Sequence, residues 1–328
     1  MTSPAGSGHP DPRRILLVAP SPRLVAEATE AGFDVLTLTD TTGFRDDDAL
    51  REHLVDLART HRVSRLIACG EASALPAVLE TAEHLGLSPN PAAVARLLAD
   101  PSEIRGLLTR SGPQWEAVAL PAGSWEPSPA HDIEYGVETL TAEGMHRVTG
   151  IVELRRTDTT GDPGGPAASG GGPGDDVTRP AHAPLHTFPA PLTGQEEAEI
   201  RALATGLLDL AGYEFGYAFT RIAHTGRGPR IINALTRQAS RPVSRLIELT
   251  TGLAPERELV RALAGKPMEA PVLVGCAAAV PLPCPDDVPH DITLLAGVRE
   301  LRDGHVLVTA LTPAELTGRT AAVRDRLA

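Results

Sequence analysis

The chain has 328 residues, and only one of its 30 basic residues is a lysine, Lys266. Arginine stays protonated in proteins, so Schiff-base or amine-base chemistry has one available carrier. Gly265-Lys266 is followed by Pro267 where a phosphate-cradling loop needs Ser or Thr, and no Gly-rich loop precedes it. Codon bias accounts for most of the arginine excess, but it would not remove a lysine that catalysis required. His182 and His186 are four residues apart, yet Pro184 lies between them, so they share no helix face for a metal. His224 and His305 flank turns and read as solvated. Cys69, Cys276 and Cys284 form no C-x-x-C and carry neither disulfide nor zinc spacing; Cys69 follows an apolar run and reads as buried. No serine or cysteine sits on a Gly-x-Ser-x-Gly elbow. His131-Asp132 is adjacent in sequence, which implies no spatial pairing. Asp46-Asp47-Asp48 reads as the acidic start of a helix.

Composition narrows the class further. The net charge is −12, which disfavours phosphate backbones and argues against a nucleic-acid partner. No apolar run approaches the roughly 20 residues that span a bilayer. The first ten residues lack a basic and an apolar segment, so a cytoplasmic protein is expected, with residues 1–13 as a disordered lead-in. The 31 glycines and 30 prolines imply long loops.

Hydrophobic patterning predicts the elements. Ile15-Leu-Leu-Val-Ala is a continuous apolar run, as in a buried parallel strand. Helices at 24–30 and 49–60 alternate with strands at 33–38 and 64–69, which predicts a parallel sheet. Helices follow at 72–85, 91–98 and 102–110. Tyr135-Gly-Val-Glu-Thr-Leu and Arg147-Val-Thr-Gly-Ile-Val-Glu-Leu form a hairpin across Ala142-Glu-Gly. Residues 157–181 are a Gly/Pro-rich flexible loop; Asp175-Asp176 and the absence of a framing helix weaken any phosphate reading. Beyond it the pattern predicts a helix at 195–210 with an acidic first turn at Glu196-Glu197. In Tyr213-Glu-Phe-Gly-Tyr-Ala-Phe the aromatics alternate at period two, a core-facing ladder ahead of a ligand platform. The remaining elements are a strand at 230–237, helices at 241–251 and 255–264, strands at 271–277, about 292–299 and 304–309, and a helix at 312–327.

The order of these segments resembles the ATP-grasp superfamily, in particular carboxylate–amine ligases related to biotin carboxylase and the dipeptide-forming amino-acid ligases. Glu83 to Pro91 resembles the family's helix-to-turn segment. Glu134-Tyr-Gly-Val-Glu-Thr resembles its Glu-Tyr-Ser-Val-Glu hairpin, and Phe188-Pro-Ala-Pro-Leu its entry to a long helix. Gly216-Tyr-Ala-Phe-Thr-Arg and Gly228-Pro-Arg-Ile-Ile-Asn-Ala-Leu-Thr-Arg resemble its two metal-site strands, and Gly304-His-Val-Leu-Val-Thr-Ala-Leu-Thr-Pro-Ala-Glu its closing strand and helix. The resemblance implies an α/β fold: an N-terminal parallel α/β domain of the pre-ATP-grasp kind at 14–112, then a truncated ATP-grasp-like α+β portion. The latter divides into a remnant linker at 113–133, the truncated domain at 134–254 and a lid region at 255–328.

The resemblance also exposes departures. The family holds ATP with two lysines and a glycine flap, and two Mg²⁺ ions with oxygen ligands. Here Pro101 stands where the first lysine is expected, and about twenty residues separate Gly112 from Glu134, too few for the nucleotide subdomain. Arg221 stands at the first metal-binding Glu, and Asn233 and Leu235 stand where Glu and Asn are expected. Arg237 matches an arginine that holds the substrate carboxylate or phosphate. Two readings follow for the site. Arg221, Asn233 and Arg237 form a pocket for a carboxylate, or Arg221 pairs internally with Glu134 or Glu138. The leading expectation is a pseudoenzyme without ATP, Mg²⁺ or other cofactor. It would serve as a binding or assembly partner of an active ligase, or of itself as a dimer, in a bacterial biosynthetic pathway. The alternatives are an ATP-independent enzyme acting on a carboxylate-bearing small molecule, and an ATP-dependent ligase with a reorganised site.

Overall fold

In a computed structural model the chain is described over residues 13–69, 75–119, 133–155, 184–226, 228–283 and 288–327. The expected lead-in up to residue 12, most of the 113–133 linker, the 157–181 loop, His131, Asp132, His182 and Cys284 lie outside those residues. The first half runs β1 (Arg14–Val18), α1 (Pro22–Glu30), β2 (Asp34–Leu38), α2 (Asp47–Thr60) and β3 (Arg65–Ala68). Four helices follow: α3 (Leu75–His84), α4 (Ala92–Ala99), α5 (Pro101–Arg110) and the short α6 (Pro113–Glu116). The strands form a parallel sheet in the order β2-β1-β3. β1 is central, and Ile15 to Val18 are buried on both faces, which is why it reads as an unbroken apolar run. Leu16 and Val18 pack with Leu50, Leu54 and Val78 of α2 and α3. Ile15 and Leu17 pack with Leu24 and Ala28 of α1, and with Val260 from far along the chain.

The second half contains β4 (Ile133–Ala142), β5 (Met145–Arg155), β6 (Leu185–Phe188), α7 (Gly194–Ala211), β7 (Phe215–Thr225) and β8 (Gly228–Leu235). It ends with α8 (Arg241–Thr251), α9 (Pro255–Leu263), β9 (Cys276–Pro281), β10 (Val298–Arg302), β11 (His305–Ala310) and α10 (Pro313–Leu327). Its eight strands make one antiparallel sheet in the order β10-β11-β9-β6-β5-β4-β7-β8. The β4–β5 hairpin turns at Glu143 and Gly144, both at positive φ, the backbone that a two-residue turn between twisted strands requires. Asp303 and Gly304 do the same between β10 and β11. Thr193 and Glu196 form a reciprocal capping box that starts α7.

Period-two alternation sorts the strands onto two faces. Tyr135, Val137, Ile151, Ala218 and Ile222 meet α4, α5 and α7. Val152, Phe188, Phe219 and Ala279 meet α8 through Val243, Leu246 and Ile247. Cys276, Val280, Val306 and Val308 meet α10. No helix among the described residues is long and apolar enough to cross a membrane.

Two expected strands shift. Residues 271–275 lie outside the sheet, because β11 ends at Ala310, paired with Cys276, and Pro313 then starts α10. The segment expected at 292–299 is a 3₁₀ turn at Ile292–Leu294, then a corner at Gly297 (φ +84°), then β10.

Gly136 and Phe219 give a test of packing on the α8 face. A Cβ on Gly136 would lie 2.3 Å from the Phe219 ring. Gly136→Ala is expected to cost about 1–3 kcal/mol in urea denaturation, as overpacking does. Gly194→Ala, with open space around it, is expected to leave stability unchanged or slightly raised.

Candidate functional site

Two places collect the sequence-predicted residues. The first is the α8 face of the large sheet. Gly136, Arg221 and Asn233 stand side by side on β4, β7 and β8. The Arg221 guanidinium reaches diagonally to the Glu134 carboxylate, forming a close ion pair. That carboxylate is mostly buried, so the charge-assisted bond replaces the water it has lost. The Asn233 Oδ1 is buried without a hydrogen-bond partner among the described residues. Glu138 is deeper, 2% exposed, beneath the start of α8. It accepts hydrogen bonds from Ala239 N (3.1 Å), Ser244 Oγ (2.9 Å) and Thr149 Oγ1 (3.1 Å). Burial pushes its carboxyl above the usual range, and the three donors pull it back only in part. The internal pairing of Arg221 is therefore with Glu134, and Glu138 has no ion pair among the described residues.

The second place is a cleft of about 560 Å³ between the parallel sheet and the start of β7. It lies at the carboxyl ends of β1 and β3, where strand order reverses across β1, the switch point at which open α/β sheets bind ligands. Its volume suits a small molecule. Arg237, after β8, and Arg241, the first residue of α8, both line it and are exposed. Neither has an ion-pair partner among the described residues, and Glu256, the one acid among the described lining residues, is already near Arg23. Ser21 caps α1 by accepting from Leu24 N, so the amino-terminal residues of α1 and α8 both line the cavity. Ala19, just after β1, holds φ +51°, a left-handed conformation that is strained for a residue with a Cβ and is typical of ligand-facing turns. The arrangement can hold an anion between two arginines. Cys69 is a poor nucleophile there, since burial raises its thiol to about 12.

The structure thus brings Arg221 and Asn233 together with Glu134, and places Arg237 in the other site. Neither Arg221 nor Asn233 lines the cleft. Arg241 was not singled out from sequence. Its signal is a cation in the first turn of α8, where the helix dipole disfavours one. Of the aromatic ladder, Tyr213, Tyr217 and Phe219 are buried and Phe215 is half-buried, and Tyr213, Phe215 and Tyr217 line the cleft. Tyr213 Oη donates to Tyr217 O and Tyr217 Oη to Pro255 O. Asn90, in the helix-to-turn segment, staples the two halves. Its Nδ2 donates to Phe215 O, and its Oδ1 accepts from Glu214 N and Phe215 N. Lys266 is exposed and lines neither place.

The histidines depart from expectation at one point. His224 is exposed, as read, but His305 is half-buried and stacks on His186 at 5.3 Å. His186 is 7% exposed, and burial followed by the His305 charge lowers its pKa to about 3. Among the described residues no group of three His, Cys, Asp or Glu side chains could hold a metal.

No family model matches this chain and no curated protein does. Solved structures do. The L-amino acid ligase of Bacillus licheniformis aligns at TM-score 0.69 with 14% identity, over 96% of this chain and 97% of that one. The glycinamide-RNase-transformylase T of Mycobacterium tuberculosis aligns at 0.64 with 16% identity, over 96% and 100%. The biotin carboxylase domain dimer of the Hydrogenobacter thermophilus 2-oxoglutarate carboxylase, in complex with MgADP and bicarbonate, aligns at 0.62 with 13% identity, over 95% and 89%. The fold is ATP-grasp-like. The residues on the sheet face do not fit a nucleotide-bound Mg²⁺. Glu134 is neutralised by Arg221, and the oxygens of Glu138 are enclosed by protein donors.

Arg221→Ala is expected to cost about 1–3 kcal/mol by leaving the Glu134 charge without its partner. Adding Glu134→Gln should recover most of that loss, and a double-mutant cycle by chemical denaturation reads the coupling. His186 supplies a pH test. Its folded pKa lies below the unfolded value, so its stability is fully present above about 6.5. It is lost as pH falls towards about 3. His186→Leu should flatten that part of the denaturation profile.

Proposed function

We propose that this chain is a pseudoenzyme on an ATP-grasp-like scaffold, one that does not bind ATP–Mg²⁺ and acts as a binding or assembly partner. The observation that carries this reading is the Arg221–Glu134 ion pair, with Asn233 and Leu235 on the adjoining strand. A guanidinium beside the remaining carboxylate reverses the local charge, which favours anions over a divalent cation. The pathway served is a biosynthetic one by analogy of fold alone. The partner is an active ligase of the same fold or a second copy of this chain. An exposed apolar run, Val272, Leu273 and Val274, 52–68% exposed, supports an interaction surface.

A second reading has its own support in the cleft. Two arginines without an ion-pair partner among the described residues, and two helix starts, around a small-molecule volume fit a carboxylate-bearing ligand. The scaffold would then bind, or act on, such a ligand without ATP, with Arg237 and Arg241 as the anchoring pair. The two readings are compatible if the ligand governs assembly.

Calorimetric titration with ATP and Mg²⁺ is expected to show no binding up to millimolar nucleotide; micromolar affinity would sink the pseudoenzyme reading. Titration with oxalate is expected to show binding, weakened at least tenfold in Arg237→Ala and in Arg241→Ala at unchanged melting temperature. Wild-type affinity in both variants would remove the cleft reading.

A further inference from the structure

One buried acid is not explained by either site alone. Glu138 lies on the α8 face, but the groups that hold its Oε2 belong to the segment that carries the cleft arginines. Ala239 N donates to it, and Ala239 lies between Arg237 and Arg241. Ser244 Oγ, one turn into α8, is 2.9 Å from Glu138 Oε2 and 3.2 Å from Ala239 O. A hydroxyl has a single proton to donate. With Glu138 ionised, Ser244 donates to the carboxylate and Ala239 O loses that bond. With Glu138 protonated, its O–H donates to Ser244 Oγ and Ser244 donates to Ala239 O, so every group in the chain is satisfied. The proton on Glu138 therefore selects between two hydrogen-bond arrangements at the residue between the two arginines. No cation among the described residues balances the ionised form, and an anion held by those arginines would face its charge through a wall of low dielectric.

We propose that Glu138 is a positioning residue for Arg237 and Arg241, and that anion binding in the cleft is coupled to uptake of one proton by its carboxyl group. This rests on the carboxylate reading of the cleft given above. The reciprocity is thermodynamic: if the bound anion favours protonated Glu138, protonation favours the anion by the same factor. Other titratable groups face Glu138. Tyr217 comes from β7 and is pushed well above its ordinary range by burial, then by Glu138, Glu258 and Glu256. Glu256 comes from α9 and lines the cleft. On α8, Arg245 and Glu248 are engaged with Glu300 and Arg23. Thr149 from β5 is a neutral donor.

The test is calorimetric titration of the full chain with oxalate, which keeps its charge across the pH range used. In the wild type, affinity is expected to fall as pH rises above the usual carboxylate range, by up to about tenfold per pH unit, the limit for one proton. Titration in two buffers of different ionisation enthalpy should show proton uptake, a measurement that needs no variant. Glu138→Gln, a mimic of the protonated acid, should bind as the wild type does at low pH, with a flat profile and no uptake. A Glu138→Gln profile that retains the slope, or a wild type that binds oxalate without proton uptake, overturns this inference alone. No oxalate binding at any pH overturns it together with the cleft reading.

Discussion

A three-stranded parallel sheet has two apolar faces and too few helices of its own to cover both. Here α2 and α3 close one face, and α1 closes part of the other. Val260 of α9, which follows more than two hundred residues later, completes the cover beside Leu24 and Ala28. Parallel sheets are stable only with both faces buried, so this contact pulls the second half of the chain onto the first. The Arg257–Glu27 and Arg23–Glu248 pairs and the Asn90 staple then set the angle between the halves. The exposed pairs contribute little energy each, and the apolar contact does most of the holding. The cleft is the gap that this docking leaves at the carboxyl ends of the strands.

The same constraint acts on the large sheet. β4 lies inside the sheet between β5 and β7 and is buried on both sides, so each charge that it carries must find compensation within the protein. Glu134 finds Arg221. Glu138 finds only neutral donors, and burial holds its carboxyl in favour of the proton. A face furnished in this way has little free carboxylate for a divalent cation, which supports the reading of a scaffold turned from nucleotide chemistry to binding. Arg237 and Arg241, which line the cleft, have no ion-pair partner among the described residues.

Patterns of short range were legible in the sequence for physical reasons. Ile15 to Val18 read as a strand buried on both sides because it is one. The turn at Glu143-Gly144 read as a hairpin because a glycine stands between two apolar runs, and Gly144 takes the second of its two positive φ values without strain. The aromatic alternation from Tyr213 to Phe219 read as a core ladder; Tyr213, Tyr217 and Phe219 are buried, while Phe215 is half-buried at the cleft. The segments that shifted depend on remote partners. Val272 to Val274 have strand composition, yet no strand extends beyond Ala310 to receive them. His305 follows a turn and read as solvated, but β9 lies between β11 and β6 and brings it onto His186.

By itself the sequence determined the α/β class and most of the order of elements, because local periodicity carries those properties. Tertiary structure alone decided that Arg221 takes Glu134 rather than Glu138. It also decided that Arg237 leaves that group for a cleft shared with Arg241, and that Glu138 sits beneath the loop between them. Such partnerships depend on which strands and helices lie side by side, and burial between elements far apart in the chain sets that, not the residues nearest in sequence.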